Sequence, residues 1–600
     1  MKPTSEILER MKCNSEEHSE GIYTRLYRYL LREDVYMTAY KKLYSNKGAG
    51  TRGIDNDTAD GFGLEYVHQL IDELKNLTYE PKPVRRTYIP KRNGKTRPLG
   101  IPSFRDKLVQ EAIRQILEAI YEPVFNAHSH GFRPNRSCHT ALRELSRNFR
   151  GTTWFVEGDI KGCFDNIDHT VLLNLLSEKI KDSKFINLIR KFLKAGYMEN
   201  WRYNKTYSGT PQGGILSPIL ANIYLHELDQ KVSAMRKAFN APAERKLTLE
   251  YREKDWKVRK LQKQYGACSN DTEKADLLKQ IHRAKVELRK TPCKDRSDKK
   301  LVYVRYADDF IIGINGSKED AERIKRELTA FTAEKLKLEL SDEKTKITHS
   351  SEVAHFLGYD ISVRRCSRTK KSKNGVVKRT LNYVVDLSVP FKKIEKFLFD
   401  KGIVIQKKDG TLFPCHRDTL LGTTDLEIVD TFNAETRGIC NYYNLASNFT
   451  KLTYFVYLME YSCLKTLAKK HKTHISALKR KYRAGKSWGI PYKTKTETKR
   501  MMIIKYSDLE RGKAYENVGI DTISKRDHRT DRNTLDERLR ANKCELCGAE
   551  GEGISFEIHH VNKVKDLKGK EPWKQAMIAK KRKTLVVCHE CHVKIHYHSS

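Results

Sequence analysis

The segment from residue 301 to 314 constrains the fold of this chain more than any other. Valines alternate with aromatic or charged residues before Tyr306, and a run of isoleucines follows Asp309. A period of two on both sides of a short turn predicts a β-hairpin with Asp308 and Asp309 at its tip. Adjacent carboxylates repel each other, and a divalent metal such as Mg²⁺ would relieve that repulsion because it prefers oxygen ligands. The alternative is a solvated turn, since Asp is common in turns.

A second predicted strand favours the metal site over the solvated turn. Residues 152–157 have the pattern of a strand that leads to Asp159. If this strand pairs with the hairpin, Asp159 and Asp308 face one site and can hold two metal ions, as in-line phosphoryl transfer requires. These segments resemble the palm of a reverse transcriptase, and the chain resembles the multifunctional proteins encoded by bacterial group II introns. The resemblance implies that Asp159, Asp308 and Asp309 are catalytic Mg²⁺ ligands and that the backbone of Ile160 is a further ligand.

Charge and hydropathy bound the class of partner. The chain has 600 residues and a formal net charge of +39, an excess that attracts nucleic acid and makes its binding salt-dependent. No segment offers about 18 uninterrupted apolar residues, as a membrane helix requires, and the first residues lack the apolar core of a secretory signal. We therefore expect no membrane partner and a bacterial cytoplasmic protein that, by the resemblance, associates with the nucleoid during integration.

Residues 84–102 predict a second hairpin, turned at Asn93-Gly94. It resembles the reverse transcriptase fingers, which implies that Lys91 and Arg97 contact the triphosphate of an incoming dNTP. The alternative is that both are solvated surface charges, which are common.

Three further segments match blocks of the same family. Phe164 stands where the family carries the aromatic residue that excludes a ribose 2′-OH, although core packing is the simpler alternative. The loop at 208–214 resembles the one that supports the template–nucleotide pair, which implies contacts by Gln212 and Gly213. Lys344 resembles the lysine near the departing pyrophosphate, where it could act as general acid or electrostatic stabiliser.

The C-terminal residues predict a metal-binding module. Two Cys-x-x-Cys pairs suit a closed structural zinc site, formed by Cys544, Cys547, Cys588 and Cys591. His592 and His596 have the i,i+4 spacing that places two side chains on one helix face. With His559-His560 after an apolar run, the arrangement resembles an HNH endonuclease with a ββα-metal site.

The nuclease resemblance implies a role for each histidine. His560 is the expected general base, and His559, His592 and His596 are the expected ligands of a nuclease metal, taken as Mg²⁺. The family's Asn before the second cysteine pair is not evident, because Arg582-Lys583-Thr584 stands there; Asn562 is a candidate substitute.

The whole pattern predicts an α+β multidomain protein with right-hand fingers and palm, a helical thumb (maturase or X domain), a basic DNA-binding region and a zinc-stapled HNH module. The expected divisions are an N-terminal extension (1–80), fingers and palm (81–370) with a charged helical insertion (232–300), a thumb (385–490), a DNA-binding region (491–540) and a nuclease (541–600).

The resemblance implies three linked activities: RNA-directed DNA polymerisation, intron-RNA binding that assists splicing, and nicking of target DNA to prime the copy. Expected cofactors are Mg²⁺ and Zn²⁺, and expected partners are intron RNA, target DNA and dNTPs, with a homodimer possible. Two alternatives are a splicing-only RNA-binding maturase and a reverse transcriptase of a different bacterial element.

Overall fold

A computed structural model describes most of the chain. The described residues are 3–44, 48–55, 57–90, 94, 96–199, 202–210, 213–240, 247–291, 293, 299–366, 368–371, 374–375, 377–380, 382–493, 497–509, 535–551, 553–561, 564, 567, 569, 571–580 and 582–597. Four residues singled out from the sequence lie outside these ranges, as does most of the expected DNA-binding region. They are Lys91, Asn93, Gln212 and Asn562.

The N-terminal part is helical, with one short strand. Its elements are α1 (Thr4–Glu17), α2 (Glu33–Leu43), β1 (Phe62–Gly63) and α3 (Leu64–Lys75). The next part carries the predicted fingers hairpin, in which Arg97 pairs with Ile89 across the two strands. Its elements are β2 (Val84–Pro90), β3 (Thr96–Ile101), α4 (Phe104–Tyr121) and α5 (Cys138–Asn148).

The palm is built around a four-stranded sheet in the order β7-β8-β4-β9. Strands that lie elsewhere in this part of the chain extend the fingers or lead to the thumb. The elements are β4 (Trp154–Asp159), α6 (Cys163–Asn166), α7 (His169–Lys179), α8 (Ser183–Lys194), β5 (Tyr197–Glu199), β6 (Arg202–Asn204), α9 (Ser217–Phe239), α10 (Leu249–Ala267), α11 (Asp271–Lys290), β7 (Lys300–Tyr306), β8 (Asp309–Asn315), α12 (Lys318–Glu334), β9 (Lys346–His349), β10 (Ala354–Phe356), β11 (Tyr359–Val363), β12 (Thr369–Lys371), β13 (Val377–Arg379) and β14 (Val385–Ser388).

The predicted hairpin at 301–314 is present as β7 and β8. Alternate residues of β7 enter two different apolar clusters: Leu301 and Tyr303 pack with the palm helices, whereas Val302 and Val304 pack toward the thumb. A strand buried on both faces reads as a nearly continuous apolar run, which explains the sequence of this segment. The tip of the hairpin is the place where that burial ends.

The charged insertion is an antiparallel pair of helices, α10 and α11. Each contributes a single buried apolar residue, Val258 and Ile281 respectively. The predicted helical, largely solvated character of this segment is therefore confirmed for 249–267 and 271–290.

The thumb combines helices with small sheets. Its elements are α13 (Phe391–Asp400), β15 (Val404–Gln406), β16 (Leu412–Pro414), α14 (Asp425–Tyr442), α15 (Leu452–Lys470), α16 (Ile475–Lys481), β17 (Arg483–Ala484), β18 (Ser487–Lys493) and β19 (Thr498–Met502). Tyr442 fixes the thumb to the palm, because its hydroxyl donates to the Leu357 carbonyl at 2.6 Å. The β18–β19 pair crosses residue 490, where we expected one domain to end. Its position depends on α14, whose Asn433 bonds both the Met502 carbonyl and the Ile504 N–H.

The C-terminal module has the predicted ββα core. Its elements are α17 (Leu535–Arg540), β20 (Phe556–His560), α18 (Pro572–Lys580), β21 (Thr584–Cys588) and α19 (His589–Tyr597). The module packs on the N-terminal part of the chain, because β1 joins β20 as the edge strand of its sheet. Within the described ranges, none of the helices is both long and apolar enough to cross a bilayer.

Candidate active sites

Three carboxylates converge at the tip of the palm hairpin. Asp159 ends β4 and is the direct cross-strand partner of Asp309 on β8. Burial, a hydrogen bond with Asp159 and the charge of Asp308 together raise the pKa of Asp309 to about 7. Burial also raises the pKa of Asp308, with the charge of Asp159 adding to the effect. Like charges held this close suit a divalent cation, whose ligands would be these oxygens.

Close backbone packing fixes the turn that carries Asp308. Ala307 has a φ of 56°, a left-handed conformation that is uncommon for a residue with a side chain. Gly131 lies directly against it, and a Cβ on Gly131 would overlap the Ala307 backbone nitrogen. The tip is therefore fixed by close backbone packing.

A buried ion pair, which the sequence did not reveal, holds the same turn. Arg305 and Asp229 both have fully buried side chains, and Arg305 Nη2 lies 2.6 Å from Asp229 Oδ2. Arg305 also donates from Nη1 to the Ala307 carbonyl at 2.8 Å. A planar guanidinium can serve a carboxylate and a carbonyl at once. The only sign of this ion pair in the sequence was a charged residue, Arg305, inside an apolar strand.

Two predicted cationic residues act on the carboxylate cluster. Lys344 Nζ lies 2.7 Å from Asp159 Oδ2, and this hydrogen bond raises the pKa of Lys344. The positive charge of Arg97, on the fingers strand β3, opposes the rise in the pKa of Asp308. A cleft of about 380 Å³ opens beside Asp159 and Asp309 and runs toward residues 356–358.

The structure also gives the surroundings of three other residues that were predicted to serve the polymerase. Phe164 is half-buried against the core and meets the exposed ring of Phe132 edge-on at 6.1 Å. Gly213 has a φ of 106°, and a Cβ there would lie 2.8 Å from the Gly100 carbonyl of β3. The loop thus touches the fingers backbone. Ile160 is buried beside Leu340, with which it forms an isolated bridge.

The four paired cysteines come together in the C-terminal module. Their sulfur atoms all lie within 4.8 Å of one another, and none of the four cysteines forms a disulfide. Although burial opposes the effect, backbone N–H groups, first that of Cys547, lower the pKa of Cys544 to about 6. Thiolates at this spacing suit a tetrahedral zinc ion.

The predicted nuclease ligands form a second cluster with an unexpected member. Ligand atoms of His559, His592, His596 and Asp60 lie within 4.8 Å of one another. The orientation of His592 is set by Glu557, which contacts its Nδ1 at 2.5 Å. Nε2 of His592 is thereby directed at the cluster. Although burial opposes the effect, Asp60 and Glu557 raise the pKa of His592 to about 9.

His560, the expected general base, stands apart from this cluster. Successive side chains of a strand point to opposite faces, and the His560 ring lies 6.2 Å from the Tyr44 ring. Burial lowers the pKa of His560, which keeps the imidazole neutral. Its backbone N–H, by contrast, donates to Asp60 Oδ1 at 2.6 Å.

Comparisons with known proteins show which families the parts of the chain match. Three family models match: Reverse transcriptase (RNA-dependent DNA polymerase) at 89–245 and 275–361, Type II intron maturase at 382–515, and AI2M/AI1M-like, HNH endonuclease at 544–592. The gap in the first match contains helix α10 of the insertion.

Curated relatives extend the similarity over the whole chain. The group II intron-encoded protein LtrA of Lactococcus lactis subsp. cremoris is 56% identical over 597 residues, which cover 99% of each chain. An uncharacterized 91 kDa protein in a cob intron of Schizosaccharomyces pombe is 38% identical, over 95% of this chain and 69% of that one. The chain therefore belongs to the family of group II intron-encoded proteins, and it combines reverse transcriptase, intron maturase and HNH endonuclease domains.

Proposed function

We propose that Asp159, Asp308 and Asp309 form the polymerase centre and hold two Mg²⁺ ions, with the Ile160 carbonyl as a further ligand. The observation that carries this proposal is the cross-strand pairing of Asp159 with Asp309 beside Asp308. The bound ions would stabilise the attacking and leaving oxygens of an in-line displacement. The carboxylates set the position of that site, and the left-handed turn at Ala307 aims Asp308 toward it.

The cationic residues around the polymerase centre would bind the incoming nucleotide. Lys344 neutralises Asp159 at 2.7 Å, and occupation of that carboxylate by a metal would free its ammonium for the triphosphate. Arg97, together with Lys91 and Gln212, is proposed to bind the incoming dNTP. Gly213 would let the loop approach the template–nucleotide pair, and Phe164 would exclude a ribose 2′-OH.

Primer extension on an RNA template tests the polymerase centre. Asp308→Asn should reduce extension by about 100-fold or more, because a preorganised charge in a water-poor site is lost. Asp342→Asn, at an exposed position near the site, is the matched control and should retain wild-type extension. Equal extension by Asp308→Asn and wild type would remove the polymerase assignment and favour the splicing-only maturase.

The histidine cluster is proposed to hold the nuclease metal. His560 is proposed, from the family resemblance, as the base that activates water, although its side chain lies on the strand face opposite the cluster. Imidazole suits that role because its pKa lies near neutrality. His592→Ala and His560→Ala should each reduce nicking of target DNA by about 100-fold. The exposed His282, on α11 of the insertion, supplies the control variant His282→Ala. Undiminished nicking by His560→Ala would remove the base assignment alone.

The two centres fit one pathway. Nicking leaves a 3′-OH, and a polymerase of this type needs such an end as primer. We propose that the protein works in a ribonucleoprotein with its intron RNA, which it helps to splice, and that it copies this RNA at the nicked target.

Three expectations from the sequence remain predictions: the domain divisions at residues 80, 370, 385, 490 and 540, a homodimer, and association with the nucleoid. A reverse transcriptase of another element would have no need for the nuclease module.

A contribution of the insertion to RNA binding is also proposed. Helices α10 and α11 expose most of their lysine and arginine side chains, and Trp256 lies exposed with Lys260 Nζ 5.2 Å from its ring centre. Exposed aromatic and basic side chains suit RNA. By contrast, Lys469 of the thumb pairs with Asp418 and Lys470 pairs with Asp425, so both lysines are less available to RNA than those of the insertion.

A further inference from the structure

The fourth member of the nuclease cluster comes from the opposite end of the chain. Asp60 precedes β1, and its Oδ2 lies 2.9 Å from His596 Nε2. Its Oδ1 lies 3.2 Å from His592 Nε2 and 3.2 Å from His559 Nδ1. One carboxylate therefore faces all three imidazoles, from a residue about 500 positions away in sequence.

Contacts of the residues on both sides of Asp60 fix its position. Gly61 N–H donates to the Ile558 carbonyl at 3.1 Å, and Phe62 is the cross-strand partner of Ile558. On the other side, the Tyr40 hydroxyl donates to the Ala59 carbonyl at 2.9 Å. The Phe62 ring is stacked on the Tyr40 ring at 4.0 Å. Asp60 is thus held in place by β1 and α2.

A buried imidazole at the centre of the cluster is placed to ligate an ion. His559 is only 4% exposed; its Nδ1 lies 3.2 Å from Asp60 Oδ1, but neither ring nitrogen makes a well-directed hydrogen bond among the residues described here. A buried polar group without a partner costs free energy. An ion between His559, His592, His596 and Asp60 would satisfy that ring and neutralise the carboxylate.

We propose that Asp60 is the fourth ligand of the nuclease metal, so that the nuclease site is complete only when the N-terminal segment is docked as β1. This inference rests on the proposed nuclease function of the histidine cluster. Three imidazoles and one carboxylate form a borderline donor set that favours transition-metal dications over Mg²⁺. The class of ion expected from the sequence is therefore revised for this centre.

Docking makes nicking dependent on the body of the polymerase. Helix α2 packs on both α3 and α4 of the N-terminal and fingers regions, and the same helix supports β1 through Tyr40. A movement of this region would withdraw Asp60 from the cluster. The competing explanation is that Asp60 only anchors the segment by ion pairs with protonated histidines.

The experiment compares Asp60→Asn with wild type in the full-length protein that carries one zinc ion per chain, at the four cysteines. Asparagine keeps an oxygen that can accept the His560 N–H but loses the negative charge. Co²⁺ alone is titrated, and its visible absorption reports imidazole-bound ion. We expect the Co²⁺ Kd to rise about tenfold or more, nicking to fall in parallel, and primer extension to stay unchanged.

Two comparisons separate the possible outcomes. Glu65→Ala removes only a docking contact, the 2.9 Å bond from Ser555, and should bind Co²⁺ like wild type. Hydrogen exchange at the Gly61 amide reports docking and should stay protected in Asp60→Asn. Wild-type Co²⁺ affinity in Asp60→Asn would overturn the inference. Loss of both the Co²⁺ affinity and the Gly61 protection would also overturn it, because Asp60 would then act only as an anchor of the N-terminal segment. If His592→Ala also keeps the wild-type affinity for Co²⁺, both the Asp60 inference and the proposed nuclease centre are wrong.

Discussion

At the scale of single residues, Arg305 and Asp229 hold the turn that carries Asp308. Both side chains are 0% exposed, and Arg305 also bonds the Ala307 carbonyl. Asp229→Asn leaves the guanidinium buried without a charged partner, which should cost about 3–5 kcal/mol of unfolding free energy. Chemical denaturation measures this loss. The exposed pair Arg323–Glu327 provides the control, because Arg323→Gln should cost less than about 1 kcal/mol.

A double variant separates stability from positioning. Replacing both partners by apolar residues, Arg305→Met with Asp229→Leu, should restore most of the stability because no buried charge remains. Primer extension should nevertheless stay low, since the bond to the Ala307 carbonyl is gone. Full extension by this variant would show that Arg305 does not position the turn.

The carboxylate cluster also predicts a pH dependence at the residue scale. The pKa of Asp309 is raised to about 7, so the folded chain keeps a proton that the unfolded chain has lost. The contribution of this carboxyl to the stability of the metal-free protein should therefore be fully present below the ordinary Asp pKa and be lost as the pH rises toward 7, by on the order of 3 kcal/mol. Thermal unfolding in EDTA, compared between wild type and Asp309→Asn, measures this contribution. Parallel pH curves for the two proteins would contradict the prediction, and Mg²⁺ at pH 8 should stabilise wild type more than the variant.

At the scale of elements, the hairpin tip depends on the close approach of another segment. Gly131 touches the Ala307 backbone, so Gly131→Ala must displace either the turn or the 128–133 segment. Overpacking of this kind should cost about 1–3 kcal/mol and reduce primer extension by at least tenfold, while nicking stays unchanged. Extension assays and thermal unfolding check both parts.

A glycine in open space is the matched control. Gly438 lies in α14, and a Cβ added there would meet no atom within 4 Å, so Gly438→Ala should stabilise the protein by about 0.5–1 kcal/mol. If Gly131→Ala and Gly438→Ala lost primer extension equally, the loss would not come from the Gly131 contact, and the hairpin tip would be insensitive to that contact.

At the scale of the whole molecule, the apolar cores do not follow chain order. One cluster joins the N-terminal helices, the palm helices and the C-terminal module, whereas the other joins the far face of the palm sheet to the thumb. The polymerase carboxylates belong to the palm sheet, and the cysteine cluster belongs to the C-terminal module. Damage to the cysteine cluster should therefore affect one activity and spare the other.

Cysteine substitution tests that separation. Cys588→Ser should remove one bound zinc per chain and abolish nicking, because a structural zinc site supplies folding free energy to its module. Primer extension should remain within about twofold of wild type, since the three palm carboxylates are untouched. Zinc analysis of the purified chain gives the direct readout, with the exposed Cys13→Ser as control. Normal zinc content in Cys588→Ser would exclude the four-cysteine site.

Local spacing in the sequence was enough to predict the hairpin at 301–314, the helical insertion and the pairing of cysteines in the C-terminal module. Each of these depends on residues a few positions apart, because strand and helix periods and the reach of a Cys-x-x-Cys pair are short-range geometry. The sequence therefore determined which elements form and which chemistry they carry.

Only the tertiary structure decided which distant residues meet. Asp229 is 76 positions from Arg305, and Asp60 is 532 positions from His592; no periodic pattern links either pair. The β18–β19 strands likewise depend on Asn433 of α14. Contacts of this kind follow from the packing of whole elements, in which burial and hydrogen bonding across the core select partners that sequence separation does not reveal.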